Sequence, residues 1–462
     1  MRRWVQCLSA LALTLAGGAL AGAAISGVLA AAPVPPPSPG AGPSASSLHP
    51  PIKAPTSALP TASTEGGPSM TLTVAAFPAI DEIVRAALPA WHAHHPDVEV
   101  KVLSREVNDH HTAMTTALST AKGLPDVMAL EVPYLGRFAQ GTGLQDLSPP
   151  PFDLSRDRDR FVRYAFDQAT TGKGSIIAVP ADIAPGTLLY RTDLLARAGL
   201  TEKDLTTSWE GFVAAGVRIK ATTGAYLLAH ARDMKDILIR TGMAPGEGLY
   251  FDAQSRPLVT SERFVRAFEL SRAVRRQQLD ARVVAWSADW TEGFKRGGIA
   301  TQMSGAWLAG HLNNWLAPNT RGCWRATQLP EGAFAAYGGT FFALPRLSDP
   351  SRKAMAYEFI RFMTLNRDQQ LAAFKSQDAF PALVDAQTDP FFDQPLPFLN
   401  GQSARRDWRE AASHIRAFPV HKQDAFAREV IDTELDKVLD RNKDIPTALA
   451  DAQRLLELRA RR

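Results

Sequence analysis

Seven residues of the chain have the chemistry to hold a neutral, hydroxyl-rich solute without reacting with it. Carboxylates accept hydrogen bonds from hydroxyl groups, aromatic rings offer flat faces to the C–H side of a sugar, and glycines let the backbone come close. The candidates are Phe77, Glu131, Asp182, Trp307, Tyr337, Gly338 and Gly339. They predict a ligand-binding site and no catalytic residue.

Each of these side chains also has a structural alternative. Glu131 can be a solvated loop acid, Asp182 a turn cap, and Trp307 a buried residue between helices. Phe77 fits a core position better than a contact with a sugar. The tryptophans on either side of the polar turn Ser287–Asp289 are interpreted as packing or rim residues.

Other kinds of reactive site are disfavoured by spacing. The chain has no G-x-S-x-G motif and no paired carboxylates suited to glycoside hydrolysis. The segment Thr171–Ser175 lacks the upstream glycine and following helix of a phosphate loop. The histidines lack a cysteine or carboxylate that would complete a zinc site, and they are interpreted as a solvated surface. They are His92, His94, His95, His110 and His111. The sequence therefore predicts neither a metal nor a cofactor.

Composition indicates a globular protein. Hydrophobic residues make up 45% and charged residues 21% of the 462 positions, a length suited to two or three domain-sized units. The formal net charge of +4 comes without a basic cluster, which argues against a nucleic-acid partner. Cys7 lies in the N-terminal apolar stretch, so Cys323 has no partner for a disulfide within the body.

The N-terminus predicts where the body of the protein works. Arg2 and Arg3 precede the uncharged run Cys7–Ala32, so residues 1–32 are either a signal peptide or a membrane anchor. Both alternatives place the body in the periplasm or otherwise outside the cytoplasm. Residues 33–69 are rich in Pro, Ser and Ala and are predicted to be a disordered linker.

The elements that must position the candidate site alternate between strand and helix. Predicted strands at 71–76, 98–103 and 127–130 enclose helices near 80–91 and 112–121. This order predicts a mostly parallel sheet with helices on both faces. Phe77 and Glu131 then follow the carboxyl ends of strands, where ligands of α/β proteins bind.

Later segments continue the pattern and exceed what one core can hold. Further strands are predicted at 176–179, 187–190 and 299–303, and further helices at 193–198, 209–220, 262–278, 354–364 and 426–439. Single cores stop growing near 250–300 residues, so we expect two α/β lobes.

Several blocks resemble, in order, the extracellular solute-binding proteins that serve sugar importers. FKRGGIATQMSGAW at Phe294–Trp307 is similar to the family's F-x-x-G-x-A-A-M-x-x-x-G-x-W signature. The other similar blocks are Gly123–Leu147, Ala178–Leu200, Thr207–Phe212, Tyr337–Pro345, Leu347–Gln370 and Thr447–Gln453. The resemblance covers about residues 71–455.

The resemblance implies an α/β, two-lobed periplasmic-binding-protein fold of type II, similar to maltose-binding protein, with a hinge and a cleft between the lobes. Its chain crossings would lie near Pro180–Ala184, Gly338–Ala343 and Phe380–Asp393. Lobe one would comprise residues 70–181 and 343–380. Lobe two would comprise residues 182–338 and 390–462.

The resemblance also implies a function. The chain would be the extracytoplasmic solute-binding component of an ABC importer, a monomer that binds a sugar or oligosaccharide and delivers it to permease subunits. Residues 7–32 could hold it at the inner membrane. Departures from the family at Arg191, Thr192 and Glu131 leave the ligand class open. An anionic or phosphorylated solute held by Arg191 is one alternative, and a sensor accessory that signals to a membrane receptor is another.

Overall fold

The computed structural model describes residues 69–139 and 143–460. The predictions for residues 1–32, and for the linker up to residue 68, lie outside the described residues. Within the described ranges, no helix combines the length and apolar character needed to cross a membrane.

Ten strands and sixteen α-helices make up the regular structure of the described residues. The strands are β1 Met70–Ala76, β2 Val98–Ser104, β3 Val127–Glu131, β4 Val179–Pro180, β5 Asp182–Ile183, β6 Gly186–Arg191, β7 Thr301–Gly305, β8 Trp324–Thr327, β9 Thr340–Ala343 and β10 Phe380–Pro381. The helices are α1 Ile80–His94, α2 Val107–Thr120, α3 Val132–Ala139, α4 Arg163–Gln168, α5 Thr192–Arg197, α6 Glu202–Thr206, α7 Trp209–Thr223, α8 Arg232–Thr241, α9 Glu262–Arg276, α10 Ala288–Lys295, α11 Leu308–His311, α12 Pro350–Leu365, α13 Arg367–Gln377, α14 Ala404–His414, α15 Asp424–Arg441 and α16 Ile445–Ala460. A π-helical turn, Leu312–Leu316, directly follows α11.

The larger sheet has the strand order β2-β1-β3-β9-β4. β1 pairs in parallel with β2 and with β3, as predicted, but β9 pairs antiparallel with both β3 and β4. A three-stranded sheet, β7-β6-β8, is antiparallel throughout, and β10 and β5 form a two-stranded sheet. The prediction of a mostly parallel sheet is therefore wrong beyond β3. The prediction rested on strands that one helix connects, whereas β9 comes from a part of the chain about 200 residues after β3.

Helix α1 shows how local sequence sets the packing. Its buried residues are Ile80, Ile83, Val84, Ala87 and Trp91, the three-and-four spacing that places side chains on one face. Trp91 is fully buried and meets the ring of Phe359 on α12 edge-on, with the ring centroids 5.0 Å apart. The predicted helix near 80–91 is confirmed.

The strand predicted at 176–179 is shorter than expected. Only Val179–Pro180 joins the sheet as β4, pairing with Phe341 and Phe342 of β9. The N–H of Ile176 donates instead to Asp146 Oδ1 at 3.2 Å, and the N–H of Ile177 donates to Ala169 O at 3.1 Å. Loop contacts thus satisfy backbone groups that a longer strand would have used in the ladder.

Three segments predicted to connect the lobes lie side by side. Asp182 and Ile183 of β5 pair antiparallel with β10. The N–H of Ala181 donates to Thr340 O at 2.8 Å, which ties the first segment to β9. The segments near 180–184, 338–343 and 380–381 therefore form one short, hydrogen-bonded junction beside the candidate site.

Candidate functional site

Glu131 and Asp182 meet at the edge of the larger sheet. Glu131 ends β3 and stands opposite Thr340 in the antiparallel ladder. The N–H of Thr340 donates to Asp182 Oδ1 at 2.9 Å, and the N–H of Val132 donates to Gly339 O at 3.3 Å. The Asp182 carboxyl group is thus held by the backbone of Thr340, and the Glu131 backbone pairs with that same residue.

Their proton affinities reflect this shared, partly desolvated position. Burial raises the pKa of Glu131 to about 7, the charge of Asp182 raises it further, and Arg428 opposes both effects. Burial raises the pKa of Asp182 to about 6 against hydrogen bonds from Thr340. Glu131 is therefore not a solvated loop acid. The structural alternative for Asp182 is partly correct, since it accepts a backbone hydrogen bond, although from the distant Thr340 rather than within a local turn.

Phe77 occupies a core position, the structural alternative to a contact with the ligand. It is only 4% exposed, and its ring packs against the rings of His110 and His111 with centroids 5.5 and 5.6 Å away. A ring covered in this way offers no open face to a sugar. Phe77 therefore contacts the site only indirectly, through the ring of His111.

The interpretation of the histidines as a solvated surface is wrong for His110 and His111, which are both buried. Nδ1 of His111 donates to Val107 O at 2.7 Å, which leaves Nε2 to accept the N–H of Glu131 at 3.1 Å. Burial lowers the pKa of His111 to about 4, so the ring stays a neutral acceptor. The reason for the error is that α2 begins at Val107, ahead of its predicted start near residue 112, and its first turns face inward.

Tyr134 is a further aromatic side chain at this edge that was not predicted. Its ring stacks on His111 with centroids 3.7 Å apart, and its hydroxyl donates to Asn108 Oδ1 at 2.8 Å. Burial raises the pKa of Tyr134, and the nearby charge of Glu131 adds to the rise. The available signal was its place in the sequence, because Tyr134 lies in the first turn of α3, three residues after Glu131.

Arg428 on α15 brings a positive charge near Glu131. Its Nε lies 3.8 Å from Asp432 Oδ2, and Asp432 in turn lies 2.5 Å from Nζ of Lys235, a fully buried lysine. Lys235 also pairs with Asp236 at 2.5 Å. These ion pairs connect Arg428, whose side chain is 53% exposed, to the buried Lys235, and no local motif marks them.

Trp307 lies beside the glycine pair. Its indole N–H donates to Tyr337 O at 3.4 Å, and a Cβ added to Gly338 would lie 3.8 Å from Trp307 Nε1. Gly338 and Gly339 adopt φ values of 118° and 125°, which side chains on L-residues strongly disfavour. A Cβ on Gly305 would collide with Trp307 Nε1, which explains the glycine two residues before the tryptophan. Trp307 is partly exposed, so it is not the buried residue of the structural alternative.

Tyr337 and Trp286 both lie next to Trp307. The N–H of Tyr337 donates to Ala184 O at 2.8 Å, and the guanidinium of Arg240 lies 4.9 Å from the centre of the Tyr337 ring. Trp290 is buried, as a packing residue should be, whereas Trp286 is 58% exposed. Packing is therefore the correct interpretation for Trp290, whereas Trp286 lies at the surface.

Arg191 lies in a different environment. Its Nε and Nη2 donate to the two oxygens of Asp193, each at 2.7 Å, and the side chain is buried. The guanidinium lies 5.8 Å from the centre of the Trp324 ring, within the packing of β6 against β8. The structure therefore does not place Arg191 beside Glu131 and Asp182.

Comparisons with known proteins agree with this architecture. The chain is 25% identical over 362 residues to a lactose-binding protein of Rhizobium radiobacter, covering 75% of this chain and 82% of that protein. A solved structure of an extracellular solute-binding protein of family 1 superposes with a TM-score of 0.74 at 26% identity, over 85% of this chain and all of that one. The ABC-transporter-associated binding protein of B. animalis subsp. lactis, solved with β-1,6-galactobiose, gives a TM-score of 0.71 at 21% identity, over 85% and 97% of the two chains.

The fold of these neighbours confirms the predicted two-lobed periplasmic-binding-protein architecture. The model of the family described as bacterial extracellular solute-binding protein matches residues 86–396, well over half of the chain. Proteins of this family bind solutes rather than transform them, which confirms the prediction that the chain is not an enzyme. The chain belongs to the bacterial extracellular solute-binding protein family.

Proposed function

We propose that this protein binds a short, neutral oligosaccharide and delivers it to the permease of an ABC importer. The observation that carries the proposal is the grouping of two carboxyl groups, Glu131 and Asp182, with the partly exposed indole of Trp307 around the Gly338–Gly339 backbone. Hydroxyl donors and a flat C–H face are the complement of such a site. The lactose-binding relative and the galactobiose-bound neighbour support a sugar as the ligand class.

An anionic solute fits this grouping less well. Two carboxyl groups at the site would repel an anion, and the guanidinium of Arg191 is occupied by Asp193. Arg428, the cation that does reach the site, is itself held among the acids Asp432 and Asp236. We therefore favour a ligand without charge.

We propose the lobe boundaries expected from the sequence, with residues 70–181 and 343–380 forming one lobe and residues 182–338 and 390–462 the other. The hydrogen-bonded junction of β5, β9 and β10 would then act as the hinge. Closure of two lobes around a ligand is the usual motion of periplasmic binding proteins. On this proposal the protein works as a monomer, and residues 7–32 are either removed or hold it at the inner membrane.

A ligand screen tests the proposal. Thermal denaturation would be followed with lactose, β-1,6-galactobiose and maltose, and with glycerol phosphate as an anionic control. A ligand at 100 times its Kd adds about 2.7 kcal/mol to the free energy of unfolding, so a true ligand should raise the melting temperature by several degrees. Stabilisation by glycerol phosphate, with no effect of any neutral sugar, would contradict the proposal.

A further inference from the structure

We infer that Trp286, Trp307 and Trp315 form an outer aromatic surface that binds additional sugar units of an oligosaccharide extending out of the cleft. This inference rests on the proposed function, because Trp307 is the indole that the outer surface shares with the candidate site. The new element is the role of the two exposed tryptophans beyond it. We call these three residues the tryptophan array.

The array consists of indoles with similar orientations. The Trp286 ring lies 5.8 Å from that of Trp307 with 19° between their planes, and 6.4 Å from that of Trp315 with 27° between the planes. The imidazole of His311 stands nearly perpendicular to all three rings, at 89°, 76° and 74°. The Trp286 plane is therefore nearly parallel to the planes of Trp307 and Trp315. The centroid separations indicate offset rather than face-to-face stacking, and the Trp286 side chain stays 58% exposed next to Trp307.

Specific contacts hold the array in this arrangement. The indole N–H of Trp315 donates to Nδ1 of His311 at 2.9 Å, which links the π-helical turn to α11. Trp286 has a φ of 71°, a left-handed backbone conformation that is unfavourable for a bulky side chain. The following residue, Ser287, caps α10 by accepting the N–H of Trp290 at 3.2 Å. Such pre-positioning is characteristic of sites at which backbone strain serves a function.

The array is exposed although its members are large and apolar. Trp286 is 58% and Trp315 47% exposed, and both are among the most exposed large hydrophobic side chains of the described residues. Single exposed apolar side chains are common, but a contiguous exposed apolar patch marks a site for a ligand or a partner. The neighbouring Trp290, in contrast, is buried.

The surroundings favour a saccharide over a protein surface as the occupant. The array continues directly from Trp307, which borders the glycine pair of the candidate site. Asn313 and Asn314 directly precede Trp315. The Asn313 amide donates to Asn314 Oδ1 at 2.6 Å and accepts from Arg321 at 2.8 Å. The exposed Asn314 amide and Arg321 guanidinium carry further N–H donors that suit hydroxyl groups. Sugar rings bury a C–H face on indole while their hydroxyls bond to amides.

The test compares oligosaccharides of increasing length. Kd would be measured calorimetrically for galacto- and malto-oligosaccharides of two, three and four units, with the full chain and with Trp286→Ala and Trp315→Ala. Leu347→Ala, which removes another exposed apolar side chain outside the array, is the matched control. Trp286→Phe keeps an aromatic ring, so it separates a loss of affinity caused by removal of the ring from one caused by misfolding.

We expect the affinity of the unmutated protein to rise with chain length. Trp286→Ala should lower tetrasaccharide affinity about five- to tenfold, the value of one aromatic stacking contact, and leave disaccharide affinity within about twofold. Trp286→Phe should recover part of the loss. Equal losses at every length, or no loss, would overturn the inference while leaving the proposed function intact.

Two other outcomes distinguish a failure of this inference from a failure of the proposed function. If no sugar of any length binds the unmutated protein, the proposed function itself fails, and this inference fails with it. If Trp286→Ala lowers uptake by cells but changes no sugar affinity, the array contacts the permease instead, and the assignment to a saccharide is overturned.

Discussion

Glu131 illustrates how the position of a single residue at the candidate site lowers stability. Its backbone N–H is held by His111, and its side chain lies in a partly desolvated position near Asp182. Both conditions follow from the end of β3 rather than from neighbouring sequence. A carboxyl group with a raised pKa is destabilising when it ionises, which makes its contribution measurable.

Replacing Glu131 with Gln should change how stability depends on pH. Because burial raises the folded pKa from 4.5 to about 7, the folded state binds a proton more tightly than the unfolded state. The free energy of unfolding of the unmutated protein should therefore fall as pH rises from about 4.5 to 7 and stay level above that. The Glu131→Gln variant has no carboxyl group to ionise at this position, so its free energy of unfolding should not fall over this range. It should be more stable than the unmutated protein at pH 8, by on the order of 1–3 kcal/mol, with little difference at pH 4.

Urea denaturation at pH 4 and pH 8 measures this difference. Glu358→Gln, which alters an exposed carboxylate on α12, is the matched control and should show no such trend. An effect of Glu131→Gln that has the same size at both pH values would indicate a packing change rather than ionisation. Under the proposed function the same variant should bind a neutral sugar more weakly, because one acceptor oxygen becomes a donor.

Trp307→Ala should weaken sugar binding by about 1–2 kcal/mol for oligosaccharides of every length. The physical reason is the loss of a flat face at the glycine pair, which every ligand of the cleft would contact. Calorimetry measures the affinity, and far-UV circular dichroism checks the fold. A variant that loses its helical signal would show that Trp307 is needed for folding, and the prediction would be wrong.

Trp286 offers a test of backbone strain. Trp286→Gly and Trp286→Ala both remove the indole, but only glycine adopts a φ of 71° without penalty. We expect the Gly variant to exceed the Ala variant by about 1 kcal/mol in the free energy of unfolding. Equal stabilities would mean that this backbone relaxes once the ring is gone.

At the level of secondary-structure elements, α3 and the segment 415–423 make an unusually close contact. A Cβ on Gly136 of α3 would lie 2.5 Å from His421 O and 2.8 Å from His421 N. In the same segment, the side-chain amide of Gln168 on α4 makes two hydrogen bonds with the backbone of Phe418. Its Nε2 donates to Phe418 O at 2.8 Å, and its Oε1 accepts the N–H of Phe418 at 3.3 Å. On the proposed boundaries these contacts join the two lobes.

Gly136→Ala should therefore force α3 and the segment 415–423 apart. Backbone atoms cannot yield as a flexible side chain can, so we expect a loss of about 1–3 kcal/mol in the free energy of unfolding. If the contact belongs to the closed arrangement of the lobes, sugar affinity should fall as well. Gly172→Ala is the control, since nothing lies within 4 Å of an added Cβ there. A Gly136→Ala variant as stable as this control would contradict the assigned contact.

For the whole molecule, residues Pro68–Arg462 form one compact unit. The buried clusters and the candidate site are built from the described residues of this unit. The fragment 70–462 should therefore fold by itself, with a melting temperature within about two degrees of the full chain and the same sugar affinity. Differential scanning calorimetry and binding titrations measure both quantities. A fragment that aggregates or melts much earlier would show that the N-terminal residues stabilise the body.

Much of the fold followed from local spacing. The helix α1 and the strands β1 to β3 lie within a few residues of their predicted positions, because apolar periodicity over short stretches decides which face is buried. Part of the candidate site could be located in the same way, although its role in binding stays a prediction. Glu131 sits at a strand end, and Gly305 and Trp307 belong to one short motif, so both could be identified without knowing the rest of the molecule.

Contacts between distant segments could be decided only by the tertiary structure. The inward orientation of His111 depended on where α2 begins, and the position of Arg428 near Glu131 depends on how α15 packs. Contacts between distant segments also decide three other features. They are the antiparallel pairing of β9 with β3, the burial of Phe77 and the stacking of Trp286 on Trp307. The physical reason is that periodicity reports which side of an element is buried, whereas the partner that buries it is chosen by packing across the whole chain.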